Sequence, residues 1–176
     1  TLSAGSGSCW PWLNAPYSAL SSLVSTSMDH PSETMWCIVM SSRCSVSAVR
    51  MIFANLPRAC ANGDDLEARE AMLLASFYAG LAFTKAYVGY VHAFSHKVGG
   101  MYGVPHGLGN AILLPYVLDF LKDAPLAEQR LAELAVAIGA GQAGESRSVL
   151  AQRFVERVRE LNRTVGIPDK LAALQA

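Results

Sequence analysis

A chain of 176 residues can bury one good core and is too short for two domains of ordinary size. Charged residues make up 16% of it, acids balance bases, and neither sign forms a long run, so nucleic acid is excluded as an expected partner. The apolar share of 52% raises the question of a membrane span. The best candidate, 71–94, is interrupted by Ser76, Thr84, Lys85 and His92, which is the pattern of a helix inside a large bundle and not of a bilayer span.

Residues 1–45 are rich in serine, hold all three tryptophans (Trp10, Trp12, Trp36) and sustain no period of 3.6 or 2, so no element is assigned to them. Cys9, Cys37, Cys44 and Cys60 form no Cys-x-x-Cys pair, and the chain opens without a leader-like segment, which points to thiols in a reducing cytoplasm. Cys37 and Cys44 are read as small thiols in preference to a zinc site.

From Val46 the pattern changes. Val49, Ile52, Phe53 and Leu56 share one face of a helix that Asn62-Gly63 stops after Ala61. Asp64 or Asp65 then caps a long helix, with Glu67 and Glu70 at its positive end. That helix is expected to reach about Lys97 before Val98-Gly99-Gly100 ends it, and Gly80 and Gly89 mark close packing or a break into two segments. Pro105 sets up a helix from His106 to Lys122, bent at Pro115. Pro125 starts another, reaching Ile138; 139–144 form a connection; Glu145 to Val165 is amphipathic; and Pro168 opens a final helix. No strand pattern and no repeat emerges, so the fold class is all-α, a helical array.

Three of the four histidines fall within fifteen residues. His92 and His96 are one helical turn apart, and His106 opens the next helix after a glycine-containing turn that can fold it back over them. Imidazole suits divalent iron, zinc, nickel or cobalt, but a His-x-x-x-His pair alone is equally the pattern of a buried neutral histidine. Glycines at 99, 100, 103, 107 and 109 allow backbone or ligand to approach. Lys85 and Lys97 are read as solvated, and Tyr102 and Tyr116 as packing residues.

The run from His92-Ala93-Phe94-Ser95-His96 through Gly99-Gly100 to Pro105-His106-Gly107 and on to Pro115 resembles the signature of the iron-containing (group III, metal-dependent) alcohol dehydrogenase family. Asn55-Leu56-Pro57-Arg58-Ala59, the stretch from Asp64 to Met72, and Val165-Gly166-Ile167-Pro168 extend the resemblance over Val46 to the chain end. It implies the family's C-terminal, dehydroquinate synthase-like helical domain over 46–176, truncated at its end. It also implies His92 and His106 as ligands of Fe2+ or Zn2+, and His96 as the catalytic histidine beside substrate and nicotinamide. The implied activity is NAD- or NADP-linked interconversion of an alcohol and an aldehyde or ketone. Small-molecule substrates belong to the same expectation; a homo-oligomer is expected because apolar surface that a missing domain would cover is exposed, and the interrupted 71–94 run leaves no membrane partner expected.

Two departures qualify it. The family's other two ligands, an Asp and a His four residues apart, fall near Gly7 and Pro11 in one register or on Asn14 and Ser18 in another, as divergence or a shifted reading frame would leave them. Asp29, His30 and Glu33 are poor substitutes beside Pro31. The second departure is that no alternation of strands and helices builds a nucleotide-binding domain, and Ala4-Gly5-Ser6-Gly7-Ser8 lacks the preceding strand of a phosphate loop. The expectation is an incomplete oxidoreductase domain; the alternatives are an inactive helical binding module and, more weakly, a hydrolase, which would lack a nearby Asp or Glu as base.

Overall fold

The computed structural model describes residues 43–175 apart from Tyr87, without the side chains of residues 85, 86 and 175. The expectations for residues 1–42, including the tryptophans, Cys9, Cys37 and the Asp29–Glu33 stretch, lie outside the described residues. Six α-helices follow one another: α1 (Arg43–Ala61), α2 (Leu66–Ala86), α3 (Tyr90–Tyr102), α4 (His106–Leu121), α5 (Pro125–Ala137) and α6 (Arg147–Thr164). A short 3-10 turn, Leu171–Gln175, stands where a final helix was expected. There is no strand among the described residues, and no helix there is long and apolar enough to cross a membrane.

The helices pair as successive hairpins, α1 with α2, α3 with α4 and α5 with α6, and α6 joins them by packing on α4 and α1. The main core lies where α4, α5 and α6 meet, around Leu118, Leu131, Ala135, Leu150, Phe154 and Val155, with Phe53 of α1 packed against it. A smaller cluster of Val91, Val117, Leu121 and Ala127 ties α3 to α4 and α5.

The α1–α2 turn follows from its sequence. Asp65 Oδ1 accepts the Ala68 amide at 3.0 Å, the N-cap expected of Asp64 or Asp65, while Asn62 Oδ1 accepts the Asp64 amide. Arg58 reaches across to Asp65 and Glu67 at 3.0 and 2.7 Å. Along α2 the residues buried toward its neighbours are small, Ala68 and Ala75, whereas Leu66, Leu73, Phe77 and Leu81 are exposed. Small side chains let α1 and α2 approach closely and leave the large apolar ones on the outer surface of α2.

The long helix expected from 64 to 97 is two helices. Gly89, extended at φ −106° and ψ −154°, is the N-cap of α3, so one of the two glycines marks a break while Gly80 stays inside α2. The end of α3 also differs from expectation. The helix continues through Gly99 and Gly100 and stops at Gly103, whose φ of +67° is the left-handed conformation of a glycine C-cap and whose amide donates to Gly99 O at 2.9 Å. Cys44 is a free thiol, while Cys60, expected as a thiol, is disulfide-bonded.

α4 runs through Pro115, which is buried. Proline has no amide to give the carbonyl four residues back, Ala111. Asn162 Nδ2, on α6, donates to Ala111 O at 2.7 Å and satisfies it. Asp119 adds a polar tie between the same helices, accepting from Arg159 at 3.1 Å while pairing with Lys122. Replacing Asn162 with leucine orphans a half-buried carbonyl and is expected to cost about 1–3 kcal/mol. In a Pro115→Ala background the new amide takes over that carbonyl, so the same replacement should cost less than about 1 kcal/mol. Urea unfolding of the four proteins measures the coupling; equal costs in both backgrounds would refute the assignment.

Candidate histidine site

Three imidazoles converge on the α3–α4 hairpin. His92 and His96 project from successive turns of α3, and the Gly103 turn returns the chain so that His106 starts α4 beside them. The ring centroids are 5.1 Å apart for His92 and His106, 4.9 Å for His96 and His106, and 6.1 Å for His92 and His96, whose rings are perpendicular. The fold therefore brings together all three residues singled out in the sequence.

Their surroundings differ. His92 and His106 are half-buried and His96 is exposed. Burial, then the rings of His106 and His96, hold His92 below the usual histidine range; burial and the His96 ring do the same for His106. Both shifts favour the neutral ring, the form in which imidazole ligates a metal. An ion about 2.1 Å from a ring nitrogen is about 3.2 Å from the ring centroid, so two imidazoles sharing it at a tetrahedral angle have centroids about 5 Å apart. The pairs involving His106 meet that distance and the His92–His96 pair exceeds it.

Two imidazoles are fewer donors than a resident divalent ion takes from a protein, and among the described residues no group of three or more His, Cys, Asp or Glu side chains is placed to hold one. The donors present suit a transition metal in kind and fall short in number. His106 Nε2 also lies 3.0 Å from Asn110 Nδ2, one turn along α4, and an ion on that nitrogen would displace the contact. Asn110 Oδ1 is buried with no hydrogen-bond partner.

Sequence reasoning passed over two residues here. Ser95 is 1% exposed and donates its hydroxyl to the His106 carbonyl at 3.2 Å. Asn110 touches His106 directly. The spacing of Asn110, four residues after a histidine on one helix, was a usable signal; Ser95 had none, because its partner lies across a turn whose shape the sequence does not declare. The glycines separate by role. A Cβ at Gly109 would meet Ser95 and one at Gly99 would come 3.2 Å from Val104 O, whereas Gly100 has open space around it.

With this geometry in view, the comparisons are consistent. Residues 32–176 match the model of the Fe-containing alcohol dehydrogenase family, C-terminal part, and the match begins upstream of position 46. The chain belongs to that family. It is 39% identical over 130 residues to 1,3-propanediol dehydrogenase of Klebsiella pneumoniae, covering 74% of this chain and 33% of that protein. It is 38% identical over 130 residues to NAD-dependent methanol dehydrogenase of Bacillus methanolicus, covering 74% and 34%. The crystal structure of a 1,3-propanediol oxidoreductase superposes with a TM-score of 0.75 at 34% identity, over 82% of this chain and 39% of that one. The chain thus spans about a third of the length of the curated relatives it matches, and the helical fold of its described residues is that of the family's C-terminal part.

Proposed function

We propose that residues 46–176 form the helical, metal-binding catalytic unit of an NAD- or NADP-linked oxidoreductase that interconverts an alcohol and an aldehyde or ketone, and that the unit acts together with a nucleotide-binding domain. The observation that carries this reading is the convergence of His92, His96 and His106 on one hairpin inside the family match. In this reading His92 and His106, both half-buried, hold Fe2+ or Zn2+. The ion, when bound, supplies Lewis-acid polarisation of the substrate oxygen. His96, exposed and adjacent to both, faces the substrate and moves the proton that accompanies hydride transfer.

A second reading, an inactive helical binding module, is favoured by the donor count at the site. Metal content by mass spectrometry separates the two. Near-stoichiometric iron or zinc in the purified chain, lost in His92→Ala/His106→Ala, is the expected result. No metal in either protein, together with NADH fluorescence unchanged by the chain, would sink the catalytic reading in favour of the module.

A further inference from the structure

We propose that Ser95 and Gly109 form a lock between α3 and α4 that fixes the spacing of His92 and His106, with Ser95 a positioning residue for the histidine cluster. Its bearing on metal binding rests on the function proposed above; the lock itself rests on packing. Ser95 lies between His92 and His96 on α3 and is the buried polar residue of the described core. Its Oγ donates to the carbonyl of His106, so the hydroxyl grips the residue that carries the third imidazole.

The same oxygen occupies space that Gly109 leaves. A Cβ built on Gly109 would stand 2.6 Å from Ser95 Oγ, closer than Cβ atoms come to a neighbour, yet 3.6 Å from Ser95 Cβ and 3.7 Å from Val104 Cγ1, both ordinary distances. α3 therefore meets the α4 backbone at residues 106 and 109, one turn apart, through one hydroxyl. A side chain at 109 must either push α4 away or turn the hydroxyl off the His106 carbonyl, and either change releases His106 relative to His92. Removing the oxygen also removes the obstacle, since two Cβ atoms at 3.6 Å pack normally. The lock thus predicts that Ser95→Ala rescues Gly109→Ala.

The test uses the full chain and three variants, Gly109→Ala, Ser95→Ala and the double variant. Two readouts are taken: the ring-to-ring nuclear Overhauser effect between His92 and His106 without metal, and Co2+ affinity from its visible absorption. Losing a group that orients a ligand typically weakens metal affinity about 10–100-fold. Gly109→Ala should lose the ring contact and bind Co2+ about 100-fold more weakly, Ser95→Ala about 10-fold, and the double variant no worse than Ser95→Ala, where independent effects would give about 1,000-fold. A ring contact that survives Gly109→Ala, or a double variant no better than Gly109→Ala, overturns the lock. If the wild type binds no Co2+ but the ring contact follows the predicted pattern, the lock stands and the metal reading falls. Equal Co2+ binding by all four proteins overturns the lock and keeps the metal reading. Should Gly109→Ala fail to fold, folding of the double variant is the rescue, and failure of both overturns the proposal.

Discussion

Phe154→Ala is expected to destabilise the chain by about 3–5 kcal/mol, the range for truncating a buried aromatic side chain to alanine. Phe154 is 5% exposed and sits where α6 meets α1 and α5, its ring 6.0 Å from that of Phe53 at 48°. Truncation removes apolar burial, leaves a cavity among Leu131, Leu150 and Val158, and breaks an aromatic pair that contributes about 0.5–1.5 kcal/mol beyond its area. Single domains are stable by about 5–15 kcal/mol, so the variant gives up a large share of the total and its melting temperature should fall by about 6–20 °C. Phe120, 79% exposed on α4, is the control, and Phe120→Ala should change stability by no more than about 0.5 kcal/mol. Circular dichroism through urea and thermal unfolding measures both; similar losses at the two positions would mean that the core has been misplaced.

Self-association at micromolar concentration is the second large effect expected. Leu73 and Phe77 of α2 are 71% and 61% exposed, and Leu66 and Leu81 continue the same outer surface. A helix apolar on all sides is ordinarily buried, and each large side chain returned to an apolar environment contributes about 1.5–3 kcal/mol. Sedimentation should show dimers or larger species for the wild type and a monomer for Leu73→Glu/Phe77→Glu. A wild-type monomer at high concentration would count against the idea, as would association unaffected by the two glutamates.

How far the sequence alone could reach depended on whether a signal was local. The helices other than the α2–α3 division, the Asp65 cap and the Asn62-Gly63 stop were legible because periodicity and capping chemistry act within a few residues. The misjudged end of α3 was a local error: Gly99 and Gly100 cost helix stability, but the left-handed C-cap belongs to Gly103, and Pro105 two residues later was the signal for it. The histidine cluster was legible through motif resemblance, and its convergence through the turn between the helices. Ser95, Gly109 and the Asn162–Ala111 bond were illegible, since each depends on the distance between two helices after packing. The small seam of α2 was hidden for a related reason, because apolar residues line both its sides and periodicity cannot say which is covered.

The Gly103 turn has a further consequence, for chain entropy. Because it places His92 and His106 on a single hairpin fourteen residues apart, bringing the two rings together closes only a short loop, whose length-dependent cost is about 2 kcal/mol. Proteins rich in such local contacts fold faster than those dominated by distant pairings. The imidazole pair thus belongs to a hairpin whose closure draws little on chain entropy, however the more distant segments pack.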